Sequence, residues 1–447
     1  MRGALHYREK ARRFLTILCP IFITQLALTA TGFCDTVMSG HISEQDLAGV
    51  AVGANLFMPF FGSFLGIISV LTPILSQLYG AGKTERIVFV VRQGFYWSLL
   101  LAAFFLLAGV LFVPFILDGL QLEPKVERVA AGYLAGIAPG IVPIFLAGVL
   151  RNLIDAHGHT HLTMMITLVT VPINVAANYV FMYGAFGIPA FGGMGAGIGS
   201  SVAFFLNFML NILVVSRLEP FCSYRVFSHV SRPSPAEWRH ALALGVPIGS
   251  TMFCEMSIFS AVGLFMTVYG TVVVAAHQAA MNFTTMIYMI PLSASMTLTI
   301  LVGFEIGAKR SGAAREYIRL GRLLTFLFEG SIALLLVPFR AEIAQLYTTS
   351  PEVQEMLEVF LLYAVFLQLS DALDAPLQGA LRGYKDVHAT FLLAVFSYWI
   401  IGLPLGFLFA NYGGLGPYGY WVSLISGVAI GAIALMARLR HVQRRYA

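Results

Sequence analysis

Asp35, Glu255, Asp371 and Asp374 stand inside long apolar runs, in the stretches "GFCDTVMSG", "TMFCEMSIF" and "LQLSDALDAP". A charged side chain at such a depth costs about 2.5–3.5 kcal/mol on insertion scales and is retained where it has work to do. Three kinds of chemistry suit it: uptake and release of a proton, coordination of a cation such as Na+, or attraction of a cationic ligand. Asp35 follows Arg13 by 22 residues, roughly 33 Å of straight helix. That places it toward the far side of a bilayer, in the last turn of its span. Glu255 follows Arg239 by 16 residues, and Asp371 falls 13 residues after Glu358 and 11 before Arg382, close to mid-membrane. Asp374, three residues further, shares a helix face with Asp371. With no basic residue expected inside these spans, salt bridges do not neutralise the acids, and Glu255 and Asp371 need protons, a metal cation such as Na+ or a cationic substrate. Asn174 and Asn178, one turn apart, and Ser200 are placed to hydrogen-bond Asp35. Glu329, in "LFEGSIALL", is read as structural or as held by local hydrogen bonds.

The elements that carry these residues are membrane helices. The chain has 447 residues, is 58% hydrophobic and only 11% charged, against about 25% charged in a typical soluble domain. In lipid the backbone satisfies itself only as helices or closed barrels, and these runs are far longer than the ~10 residues of a barrel strand. The expected fold is an all-α integral membrane protein with spans near 14–38, 48–75, 89–115, 129–150, 162–183, 194–216, 240–266, 272–301, 319–339, 353–378, 388–410 and 416–437. The net charge of +5 comes from Lys and Arg that flank spans, so it is no sign of nucleic acid. Arg2, Arg8, Lys10, Arg12 and Arg13 precede the first span, and only Lys125, Arg128 and Arg340 fall on the opposite side. The positive-inside bias puts both termini on the cytoplasmic side of the membrane.

The two halves repeat. Pro20 aligns with Pro247, "GAGK" (80–83) with "GAKR" (307–310) and "HLT" (161–163) with "HAT" (388–390), a constant offset of 227 residues. The repeat predicts two pseudo-symmetric six-helix lobes, 1–216 and 240–447, joined by a cytoplasmic linker, 217–239. Transporters commonly place substrate and ion sites where such repeats meet. His157, His159 and His161 alternate like metal ligands but fall in a connecting loop, and solvation is the expected state. Gly195 and Gly199 read as tight helix packing rather than phosphate binding. There is no HExxH and no paired nucleophile and base, so an enzyme is not expected, and the unpaired acids argue against a passive channel.

On these residues the chain resembles the multidrug and toxic compound extrusion (MATE) family, its NorM-like branch, over nearly its whole length. The matching stretches are "GFCDTVMSG", "GAGK", "TMFCEMSIF", "AAHQAAMNF" (275–283) and "LQLSDALDAPLQGALRGYKD" (367–386). The resemblance implies two lobes that rock about a central cavity and export amphipathic, often cationic drugs in exchange for H+ or Na+, as a monomer and without a cofactor. It implies that Asp35 serves proton coupling or substrate, with Asn174, Asn178 and Ser200 as polar neighbours, and that Glu255 and Asp371 bind cations. Asp374 departs from the pattern, which often has Gln one turn after the second-lobe Asp. A flippase for lipid-linked precursors is the alternative within the superfamily, disfavoured by the acidic deep charges.

Overall fold

The computed structural model describes residues 2–446, with side chains from residue 7 onward. The Arg2 side chain, counted above among the flanking basic residues, lies outside the described ones. Twelve helices are long and apolar enough to cross a membrane, and no strand occurs among the described residues. The helices outrun the hydropathy windows. The first span continues to Ile42 and the tenth runs Pro351–Gly383. Asp35 is therefore seven residues from its helix end rather than in the last turn. Hydropathy drops where charged residues begin, but a helix backbone continues as long as its hydrogen bonds and packing allow. Two spans carry π-helical segments, Val180–Gly184 in the fifth and Val395–Gly402 in the eleventh.

The chain separates into two compact units. One comprises Met1–Phe22 and Ser250–Ala447, the other Ile23–Gly249. Their boundaries fall inside the first and seventh spans, so they do not coincide with the ends of the two repeats. In the Ile23–Gly249 unit the sixth span (Met194–Arg217) is the close-packed element. A Cβ on Gly197 would come within 2.1 Å of the Tyr133 carbonyl oxygen, and one on Gly195 within 2.5 Å of the Phe181 carbonyl carbon. Only glycine permits these approaches, as the small-residue spacing predicts. In the other unit the tenth span lies at the centre. Gly379 lets it cross the eighth span at Ser295, where a Cβ would meet the Ser295 oxygen at 2.1 Å.

Residues 217–239 are bound to the third span. Gln93, fully buried, donates to the Arg232 carbonyl (2.8 Å) and accepts from the Ser234 amide (2.9 Å) and the Trp238 indole (2.8 Å). Arg92 holds the carbonyls of Arg225 and Val226 at 2.9 and 2.8 Å, and Tyr96 holds that of Ser231 at 2.8 Å. The expected linker is thus a strap fastened to the first repeat. Gln93→Leu leaves three partners unpaired, each costing about 1–3 kcal/mol when buried. A fall in the thermal midpoint of the purified protein, with no such fall for a neighbouring exposed substitution, is the expected result.

His157 departs from the solvated loop expected of it. It is 8% exposed, its Nδ1–H donates to the Leu153 carbonyl at 2.8 Å, and its Nε2 accepts from the Tyr224 hydroxyl at 2.7 Å. Desolvation holds its pKa down at about 4. The unfolded chain takes up a proton near pH 6.5 and the folded one only near 4. Stability is therefore whole above pH 6.5 and falls as pH drops through that window, by roughly 3 kcal/mol in full. His157→Gln should flatten the thermal midpoint against pH between 6.5 and 4. His159 is partly exposed and His161 exposed. No cluster of three or more His, Cys, Asp or Glu arranged to hold a metal occurs among the described residues.

Candidate functional site

Two carboxylate sites form, one within each compact unit. In the first, Asp35 is 9% exposed and accepts from Asn178 Nδ2 at 2.5 Å. Asn174, one turn earlier on the fifth span, reaches the same amide with its Oδ1 at 3.4 Å. The close approach that fixes Asn178 comes from the sixth span: a Cβ on Gly199 would stand 2.0 Å from Asn178 Oδ1. Asn178 Oδ1 itself has no hydrogen-bond partner among the described residues. The Tyr133 side chain is buried within electrostatic reach of Asp35. Ser200 is buried at 6% beside Gly199, but among the described residues its side chain makes no hydrogen bond to Asp35. A lone carboxylate held by one neutral donor has spare lone pairs and no fixed countercharge. It can bind a proton or a cation and give it up.

The second site is built on consecutive turns of the tenth span. Gln378 Nε2 donates to Glu255 Oε1 at 2.7 Å and to Asp374 Oδ2 at 2.6 Å. Arg382 Nη2 donates to Gln378 Oε1 at 3.3 Å. The guanidinium is donor-only, so it selects the amide oxygen and turns the NH2 toward the acids. Asp371 is 8% exposed and interacts electrostatically with Asp374, Glu255 and Glu329. The Tyr398 hydroxyl lies 3.5 Å from Asp374 Oδ2, and Tyr288 lies within electrostatic reach of all three acids.

Two expectations need correcting here. The acids are not free of basic residues: Arg382 is 9% exposed and interacts electrostatically with Glu255 and Asp374. Hydropathy places it beyond the span, whereas the helix carries on to Gly383. The one guanidinium reaches only two of the three carboxylates, so the site still favours added positive charge. Glu329 is not held by local hydrogen bonds either. It is fully buried, and neither carboxylate oxygen has a hydrogen-bond partner among the described residues. Gln378, Arg382, Tyr398 and Tyr133 are the site residues that sequence reasoning missed. The i, i+4, i+8 spacing of Asp374, Gln378 and Arg382 is the signal that could have found two of them, Gln378 and Arg382.

Comparison with known proteins places this geometry among relatives. The MatE family model matches residues 20–180 and again 247–408, the two matches beginning at the repeat offset found above. The chain is 46% identical to the probable multidrug resistance protein NorM of Halalkalibacterium halodurans, over 98% of this chain and 96% of that one. It is 45% identical to a protein of the same description from Bacillus subtilis, over 100% and 99%. Among solved structures, the Vibrio cholerae MATE transporter VcmN in its bent form superposes with a TM-score of 0.84 at 18% identity, covering 98% of each chain. The eukaryotic MATE transporter AtDTX14 gives 0.84 at 18% identity, over 99% of this chain and 100% of that one. At that identity these two show the fold alone.

Proposed function

Since the chain belongs to the MatE family, as a NorM-like multi-pass membrane protein, we propose that it is a secondary antiporter of the cell membrane. It exports amphipathic, often cationic drugs in exchange for H+ or Na+, by alternating access of its two halves, with both termini cytoplasmic. The relatives' description as multidrug resistance proteins supports the substrate class. The observation that carries the coupling is that Asp35, and the set Glu255, Asp371 and Asp374, sit inside their own units with too few cationic partners. Such acids exchange one positive partner for another. A proton or Na+ bound to a carboxylate removes its attraction for a cationic drug, and drug binding favours its release. Exchange of one H+ or Na+ for one monovalent drug cation moves no net charge, so the ion's concentration gradient drives it, a tenfold gradient supplying about 1.4 kcal/mol and supporting about a tenfold drug ratio.

The test is export of a cationic dye by everted membrane vesicles under an imposed pH or Na+ gradient. Transport that follows one gradient and collapses when it is dissipated is the expected result. Indifference to both gradients would defeat the coupling.

A further inference from the structure

Where the ninth span begins and the twelfth ends, three arginines meet without an acid. Arg315 and Arg322 are seven residues apart on the ninth span, two turns along one helix face. Arg315 Nη2 donates to the Gln443 carbonyl of the twelfth span at 2.6 Å. Arg322 lies within electrostatic reach of Arg440, one turn before Gln443. The Nε–H groups of Arg315 and Arg322 are both buried, and neither has a hydrogen-bond acceptor among the described residues. The acids of this end that are not exposed pair elsewhere: Glu316 with Lys10, Glu305 with Arg13 and Arg310, and Asp386 with Arg438. Like charges are therefore held side by side by packing, with donors that nothing in the chain answers.

We propose that this arginine cluster binds the headgroup phosphate of one anionic phospholipid from the adjacent leaflet. With both termini cytoplasmic, that leaflet is the inner one. A phosphate offers several oxygens to the planar guanidinium fork, and its charge relieves the repulsion between Arg322 and Arg440. Basic sites between membrane helices at this depth suit anionic headgroups. Arg440 is exposed and Arg322 half-buried, so a headgroup reaches the first from outside and the second by inserting between the spans. The surface beyond the arginines favours a lipid over a free anion. Phe326, one turn further into the ninth span than Arg322, is 40% exposed, and Ile433, two turns further into the twelfth than Arg440, is 72% exposed. A ligand seated on the guanidinium groups thus continues onto apolar faces that an acyl chain covers and inorganic phosphate does not. The bound lipid would tie the ninth span to the twelfth at this end, a role apart from the ion coupling proposed above.

The experiment titrates the full-length, delipidated protein in detergent with phosphatidylglycerol or phosphatidylcholine and counts bound lipids by native mass spectrometry. One phosphatidylglycerol should bind ahead of phosphatidylcholine. Arg322→Gln and Arg440→Gln should each weaken that binding by about fivefold, and the double substitution by about twenty-five-fold. Arg239→Gln removes an exposed charge from the other unit and should leave it unchanged. Inorganic phosphate at millimolar concentration should neither displace the lipid nor raise the thermal midpoint. If Arg322→Gln does not fold, as judged by its elution and thermal midpoint, substitution of the exposed Arg440 decides alone. Equal affinity for the two lipids overturns the proposal, as does phosphatidylglycerol binding that both substitutions leave untouched. Displacement by inorganic phosphate overturns it as well, by giving the arginines to a free anion.

Discussion

Asp35→Asn is expected to uncouple export while leaving the protein folded. The substitution preserves shape, and the new side chain can still offer its oxygen to Asn178 Nδ2, which now holds Asp35 at 2.5 Å. What disappears is the exchangeable charge. A tenfold proton gradient supplies about 1.4 kcal/mol per exchanged proton, so under such a gradient the steady-state dye ratio across everted vesicles should fall by roughly tenfold toward unity. Expression and thermal midpoint should match the wild type. Asn178→Leu is the companion variant: it keeps the acid and deprives it of its donor. It should retain transport but shift its dependence on pH. Gradient-driven export that persists undiminished in Asp35→Asn would take Asp35 out of the mechanism.

Gln378→Leu should produce the largest loss of stability among single changes at the second site. The Gln378 amide is where three charged groups meet: it donates to Glu255 and Asp374 and accepts from Arg382. An apolar replacement leaves Glu255 without its donor, Asp374 with only the longer Tyr398 contact and the guanidinium without its amide acceptor. Breaking a buried charged network by removing one partner costs about 3–5 kcal/mol. The thermal midpoint in detergent is the measurement, and Gln378→Glu supplies the contrast. That variant keeps an acceptor for Arg382 but replaces the shared donor with a fourth acid, so it should bind added cations more tightly than wild type even if it melts early. Equal midpoints for Gln378→Leu and wild type would show that the bridge contributes nothing.

The repeat also shows how unlike the two sites are. With the 227-residue offset, Asp35 falls on Val262, Glu255 on Leu28, Asp371 on Ile144 and Asp374 on Ala147. The duplicated scaffold therefore carries its acids at different places in each half. This asymmetry could be read from the chain, because an offset compares residue types position by position. The strap could not. Gln93 is an ordinary polar residue at a span end until residues 217–239 fold back onto it. Arg382 shows the same limit from another direction. A hydropathy window ends at the first cluster of polar residues, whereas the tenth span stays helical because the eighth span packs against it through Gly379 and Gly383.

Span number, helical class and the identity of the deep acids were settled by composition and run length, since a bilayer admits few structures and charges within it are rare. Those are local properties, readable along the chain. Which oxygen of each acid is engaged was decided only by tertiary packing. Asn178 meets Asp35 across 143 residues of sequence and Gln378 meets Glu255 across 123. No periodicity within a helix encodes a partner on another helix. Glycine at 199 sets the first of those contacts by the side chain it lacks, and what such an absence admits becomes visible only once the neighbouring helix is in place.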